Sequence, residues 1–316
     1  MKVNRVAVIG ECMVELQKAD DQLKQSFGGD TLNTALYLSR LTQQHGITTS
    51  YVTGLGKDPF SKQMLTSWQQ EGINTDLVQI SDSKLPGIYA IETAPDGERS
   101  FYYWRNDSAA KYWLRESPLL SLAEKLSQHQ VVYLSGISLA ILPADCRKKL
   151  VELLTLCRKD GVTIAFDNNY RPALWESAQA ARDMYASILR LTDIAFLTFD
   201  DEVMLYGDSA EQQAIERTQG FGVKEIVVKR GADECFVVTS DDFIAVPAIK
   251  VSKVVDTTAA GDSFSAGYLA KRLTGGSTVD SAVSGHALAG TVIQHRGAII
   301  PCDVMPLHAS NLRMEK

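Results

Sequence analysis

Five apolar runs recur along the chain with room for a helix between neighbours: RVAVIG (5–10), VVYLSGI (131–137), VTIAFDNN (162–169), IAFLTF (194–199) and EIVVKRG (225–231). Each is apolar on successive residues rather than alternate ones. Such a strand needs cover on both faces, as in a parallel sheet with helices above and below. The intervening stretches from residue 121 onward read as helices, which implies right-handed crossovers and an α/β fold with a mainly parallel central sheet. A length of 316 residues suits one large α/β domain carrying an insertion, or two domains.

One region breaks the rhythm. GIYAIET (87–93) and RSFYYWR (99–105) are strands joined by APDG, and an Asp-Gly pair is a hairpin turn signal. Together with short extended pieces in 11–27 they predict a small β lid, formed by about 11–27 and 87–106, inserted in a single domain 1–316. Residues 234–248 (ECFVVTS, FIAVPA) predict a second hairpin. FGGD (27–30) opens an amphipathic helix, and 58–72 is a helix with Pro59 in its first turn and Gly72 at its end. Residues 277–295 form a last helix rich in Ala and Gly. There is no internal repeat, low-complexity tract or flexible linker.

Bulk composition excludes more than it selects. Apolar residues make up 45% and charged residues 22%, with a net charge of −6. That balance offers no general attraction to nucleic acid or an anionic membrane. The five cysteines are scattered and make no CxxC pair, so they read as reduced thiols of a cytoplasmic protein rather than a zinc site or disulfide framework. No apolar stretch is long enough to span a bilayer, and Met1 leads into the first strand without a signal core.

DTTAAGDSFSAG (256–267) carries the chemistry. Ala259, Ala260 and Gly261 have almost no side chain and precede a helix, whose free N–H groups and dipole favour an anion. Asp262 then stands beside bound negative charge, which suits a carboxylate whose work is to take a proton. An anion cradle beside such a base is what phosphoryl transfer to an alcohol requires. The alternative is an ordinary capped helix start.

Other segments divide the same way. In GGDTLNTA (28–35), Gly28 and Gly29 would let a ligand approach the backbone, and Asp30 and Asn33 suit hydroxyls; the alternative is a helix N-cap at Asp30. Arg105 lies among aromatics in YYWRNDSAAKYW (102–113) and can fork onto a carboxylate, or simply rim a packed hairpin. DNNYRPALW (167–175) follows a strand at its carboxyl end, where α/β ligands bind, so Arg171 is a second anion candidate unless it pairs with Asp167. His286 either edges a nucleotide or packs within its helix. Neither a Walker loop nor a dinucleotide-binding G-x-G-x-x-G is present.

The pattern D-T-x-x-A-G-D-x-F-x-x-G is met at every fixed position of 256–267. In this the chain closely resembles the ribokinase-like sugar kinases, the phosphofructokinase-B family. GGDTLNTA resembles that family's substrate loop, and GLGKDPFS (54–61) its G-x-G-x-D-x-F pattern. KRGADE (229–234) matches the nucleotide loop, with Glu234 where a glycine is usual. Glu202 matches the glutamate of the family's N-x-x-E, with Phe199 where asparagine is usual. GECMVEL, YYWRNDSAAKYW, LSGISLAIL and FDNNYRP point within the family to a branch acting on keto-deoxy sugar acids.

The resemblance implies a three-layer α/β/α fold with a β-sheet lid. It implies ATP and Mg²⁺ as cofactors, and transfer of the γ-phosphoryl group to the terminal hydroxyl of 2-dehydro-3-deoxy-D-gluconate. A dimer or larger homo-oligomer goes with it. On this reading Gly28, Gly29, Asp30, Asn33, Tyr89, Tyr103, Trp104, Arg105 and Arg171 surround the sugar acid, the arginines at its carboxyl and keto end. Asp262 takes the alcohol proton, while the amides of Ala259, Ala260 and Gly261 stabilise the moving phosphoryl group. Asn169, Arg171, Thr198, Lys229, Arg230, Gly231, Ala232 and His286, with the same amides, meet ATP. Glu202 holds the metal through water.

Overall fold

The computed structural model describes residues 4–19, 22–93, 99–115 and 117–306. The expected Asp96-Gly97 turn and the start at Met1 lie outside the described residues. In chain order the strands are β1 (Arg5–Ile9), β2 (Met13–Ala19), β3 (Gln22–Gly28), β4 (Thr48–Val52), β5 (Gly54–Leu55), β6 (Ile73–Asn74), β7 (Gln79–Ile80), β8 (Ile88–Thr93), β9 (Arg99–Trp104), β10 (Val131–Ser135), β11 (Thr163–Asp167), β12 (Ile194–Thr198), β13 (Glu225–Lys229), β14 (Cys235–Val238) and β15 (Phe243–Val246).

The main sheet runs β15-β14-β13-β12-β11-β10-β1-β4-β6. It is parallel from β6 to β13 and closes at one edge with the antiparallel hairpin β14–β15. Successive residues of a strand enter different cores. Ala7, Ile9, Val132, Leu134, Ile164 and Phe166 join one apolar cluster. Val6, Val8, Val131, Tyr133, Ala165 and Phe196 join another. The two-residue period of a strand therefore splits each apolar run between two covered faces, which is why these runs do not alternate.

From β1 the chain builds outward to β4 and β6, then crosses back to β10 on the other side of β1. This reversal opens a crevice at the carboxyl ends of β1 and β10, where ligands of open α/β sheets bind. A second sheet, β3-β2-β8-β9, grows from this end. Its chain leaves the main sheet after β1 and returns at Gly28, where helix Asp30–Thr42 begins. It leaves again before β8 and returns after β9. Helix Pro59–Gln70 starts as its sequence indicates, with the Asp58 carboxylate accepting from the amides of Phe60 and Ser61.

Candidate active site

A cavity of about 1710 Å³ lies between the two sheets. Two helices open into it. Asp30 is the first residue of helix Asp30–Thr42, and Asp262 lies in the first turn of helix Ala260–Leu273. Asn33, one turn along the first helix, donates from Nδ2 to Asp262 Oδ2 at 2.9 Å. Burial, and after it the charge of Asp30, pushes the Asp262 carboxyl up to about 7; the Asn33 amide and the Lys229 ammonium pull the other way.

Asp30 is held differently. Its Oδ2 accepts from Ser135 Oγ at 2.5 Å and from Asn169 Nδ2 at 2.8 Å. Its pKa is also raised by burial, offset first by the Ser135 hydroxyl. Gly29, not Asp30, occupies the helix cap; the Asp30 carboxylate lines the cavity and is also met by the Thr31 amide. Asn169 adopts φ of 29°, a left-handed conformation that asparagine tolerates better than most residues. Neighbouring Asn168 fastens that turn, accepting from the amides of Asn169 and Thr198.

The segment expected to cradle an anion is the turn where Ala259, at φ of 61°, leads into helix Ala260–Leu273. A Cβ on Gly261 would meet only Lys229 Nζ, at 3.5 Å, so the approach to the helix end is open. The Ala260 amide is partly spoken for, donating to the Thr257 carbonyl at 3.2 Å. Gly28 and Gly29 line the cavity, and the protein's own chain also crowds both of them. A Cβ on Gly28 would lie 2.1 Å from the Tyr89 hydroxyl, and one on Gly29 would lie 2.1 Å from the Glu11 carbonyl oxygen. Glycine at these two positions therefore also makes room for Tyr89 of β8 and for the turn at Glu11 that follows β1.

Tyr89, Tyr103, Arg105, Arg171, Asn169, Thr198 and Lys229 also line the cavity. Arg105 is only 8% exposed and pairs with Glu11. The Arg171 side chain is half exposed, with Nη1 3.4 Å from Asp201 Oδ1, so the pairing with Asp167 does not form. Asp167 instead accepts from Lys229 Nζ at 2.7 Å and Ser265 Oγ at 2.8 Å. Lys229 is thus pinned below the cradle.

Six expected site residues lie outside the lining. Trp104 alternates with Tyr103 along β9, so Phe101, Tyr103 and Arg105 face the cavity while Trp104 turns away, 62% exposed. Arg230 pairs with Glu211 and Glu234, and Gly231 and Ala232 follow it out of the lining. His286 packs edge-on against Phe264 and its Nε2 bonds the Val246 carbonyl oxygen, which is the packed-helix alternative. Glu202 is buried in a network with Arg217 at 2.6 Å and Asn168 at 2.8 Å, so its carboxylate is engaged away from the cavity.

The cavity also contains residues that sequence reasoning passed over: Glu11, Glu15, Asp201 and Arg296. Glu11 and Glu15 stand in the quoted GECMVEL segment, and alternation along β2 put Met13 and Glu15 on one face; nothing local says which face meets the cavity. Among the described residues no group of three or more His, Cys, Asp or Glu is placed to hold a metal. No helix there is long and apolar enough to cross a membrane.

Comparison with known proteins places these features in a family. Residues 3–305 match the pfkB family carbohydrate kinase model. The chain is 54% identical over 309 residues to 2-dehydro-3-deoxygluconokinase of Dickeya dadantii, covering 97% of this chain and 100% of that protein. It is 53% identical over 305 residues to the protein of the same name from Escherichia coli K12, covering 96% and 99%. An E. coli structure assigned as a ribokinase II, in complex with ATP and Mg²⁺, shares the fold at a TM-score of 0.80 and 22% identity, covering 94% of both chains. This chain belongs to the pfkB family of carbohydrate kinases.

Proposed function

We propose that the chain transfers the γ-phosphoryl group of ATP to the terminal hydroxyl of 2-dehydro-3-deoxy-D-gluconate, giving the 6-phosphate. The observation that carries the chemistry is Asp262 beside an open helix N-terminus, with its pKa lifted to about 7. The identity to the two full-length relatives carries the substrate.

Asp30 and Asn33 orient the hydroxyl end of the sugar acid at the floor of the cavity. Asp262 accepts the proton of the attacking hydroxyl as the oxygen moves in line onto the γ-phosphorus, while the bond from that phosphorus to the bridging oxygen breaks and ADP leaves. Asn33 holds that carboxylate in place throughout. The N–H groups at the start of helix Ala260–Leu273 and the Lys229 ammonium offset charge on the moving phosphoryl oxygens. Arg105 and Arg171 meet the carboxyl and keto end, with Tyr89 and Tyr103 as walls. Magnesium would neutralise phosphate charge when bound, a role that suits a hard, oxygen-preferring cation. The second sheet acts as a lid that excludes water and limits ATP hydrolysis.

That sheet exposes Leu23 on one edge strand and Tyr102 and Trp104 on the other, apolar surface that fits a second copy of the chain in a dimer. Four buried free thiols suit the cytoplasm, where ATP is found. The test is ATP consumption with the keto-deoxy acid, fructose and ribose in parallel, with and without Mg²⁺. Turnover confined to the acid and dependent on Mg²⁺ is expected. Preference for a neutral sugar would remove both arginines as carboxylate anchors.

A further inference from the structure

Arg105 is a buried guanidinium in a cavity wall, and its position depends on one carboxylate far away in sequence. Glu11 lies just after β1 and is 2% exposed. Its Oε2 accepts from Arg105 Nη2, and its Oε1 accepts from Ser108 Oγ at 2.5 Å. Both oxygens are therefore held, one by each partner. Arg105 Nε is buried with no hydrogen-bond partner, and both Arg105 and Glu11 line the cavity.

Such a pair is expensive to assemble. Removing two charges from water costs more than an apolar contact of similar size, so a buried ion pair is weak evidence for stability. Its placement suggests another use. The chain passes between the main and second sheets four times, and three of those passages, at Glu11, before β8 and after β9, come together here. A Cβ on Gly87 would lie 3.0 Å from Arg105 Cβ and 3.3 Å from Glu11 Oε1. Arg105 also has a rival carboxylate, since its charge already pulls on Asp30. Without Glu11 the guanidinium is free to turn toward Asp30, away from a substrate carboxylate and onto the group that receives the hydroxyls.

We propose that Glu11 is a positioning residue that sets specificity: it holds Arg105 at the acid end of the cavity and keeps it off Asp30. The proposal rests on the reading that Arg105 meets the sugar acid's carboxylate. Ser108 completes the clamp from the second oxygen.

The test is a double-mutant cycle on the full chain, read as KM and kcat for the keto-deoxy acid and KM for ATP. Glu11→Gln, close in shape but uncharged, is expected to raise KM for the acid about 10–100-fold. Both kcat and KM for ATP should stay within about threefold. Arg105→Ala should raise the same KM at least as much. The double variant should be no worse than Arg105→Ala alone, because Glu11 has then lost the group it acts through. Additive penalties, or a Glu11→Gln effect spread equally over kcat and both KM values, would overturn the proposal and leave Arg105 in place. An unchanged acid KM in Arg105→Ala would overturn the carboxylate reading itself. If Glu11→Gln does not fold, Ser108→Ala loosens the clamp without touching either charge. It should raise the acid KM alone by about threefold, and a folded Ser108→Ala with unchanged KM counts against the clamp.

Discussion

Asp30 and Asp262 stand in equivalent places: each is half-buried in the first turn of a helix that opens into the same cavity. Their surroundings differ. Asp30 accepts from Ser135 and Asn169, two donors on separate strand ends. Asp262 has one side-chain donor, Asn33, and faces the charge of Asp30. The well-held carboxylate suits a fixed anchor for hydroxyls. The poorly held one, near the middle of the pH scale, suits a group that gains and loses a proton each turnover. Position in a helix does not assign the role; the count of donors and nearby charges does.

Several substitutions would break or sharpen this contrast. The largest effect is expected from Asp262→Asn, which should lower kcat by about 10²–10⁴-fold with little change in substrate binding. Single-turnover phosphoryl transfer checks it, and a near-normal rate would remove Asp262 as the base. The same variant should be more stable at neutral pH. The folded pKa of Asp262 lies above its unfolded value, so the folded state retains a proton that the unfolded chain releases. Stability is therefore lost as pH rises from about 4 to about 7, and removing the carboxyl removes that loss. Thermal melts at pH 8 should show a gain on the order of 2–4 °C.

Asp30→Asn should mainly raise KM for the sugar acid, by about 10–100-fold. It also deletes the charge that lifts Asp262. The acid limb of the kcat/KM profile, where rate falls as Asp262 takes up a proton, should then move to lower pH. Asn33→Ala should move that limb the opposite way, because the hydrogen bond favouring the charged form is gone, and cost about tenfold in kcat. Profiles for the two variants shifting in the same direction would defeat the comparison. Ser135→Ala should have the smallest effect, about a two- to fivefold rise in KM for the acid.

Much of this architecture was legible beforehand for local reasons. Unbroken apolar runs announce strands covered on both faces, and an Asp-Gly turn between β-rich segments announces a hairpin apart from the main sheet. The helix start at Ala259–Asp262 was legible because small residues before an apolar helical pattern need no distant information. Side-chain direction and partners are less legible. Adjacent strand residues face opposite ways, so Tyr103 lines the cavity and Trp104 does not. Motif position says nothing of the partners that Glu202, Arg230 and His286 meet from other elements: Arg217, Glu211 and the Val246 carbonyl.

What the sequence determined by itself is therefore the sheet, its helices and the helix end that carries Asp262, since periodicity and small-residue runs act over a few residues. Tertiary structure alone decided which charges meet. Glu11 reaches Arg105 across 94 positions, and Ser135 and Asn169 reach Asp30 across 105 and 139. A buried charge takes its properties from whatever the fold brings within a few ångströms, and no local pattern records that distance.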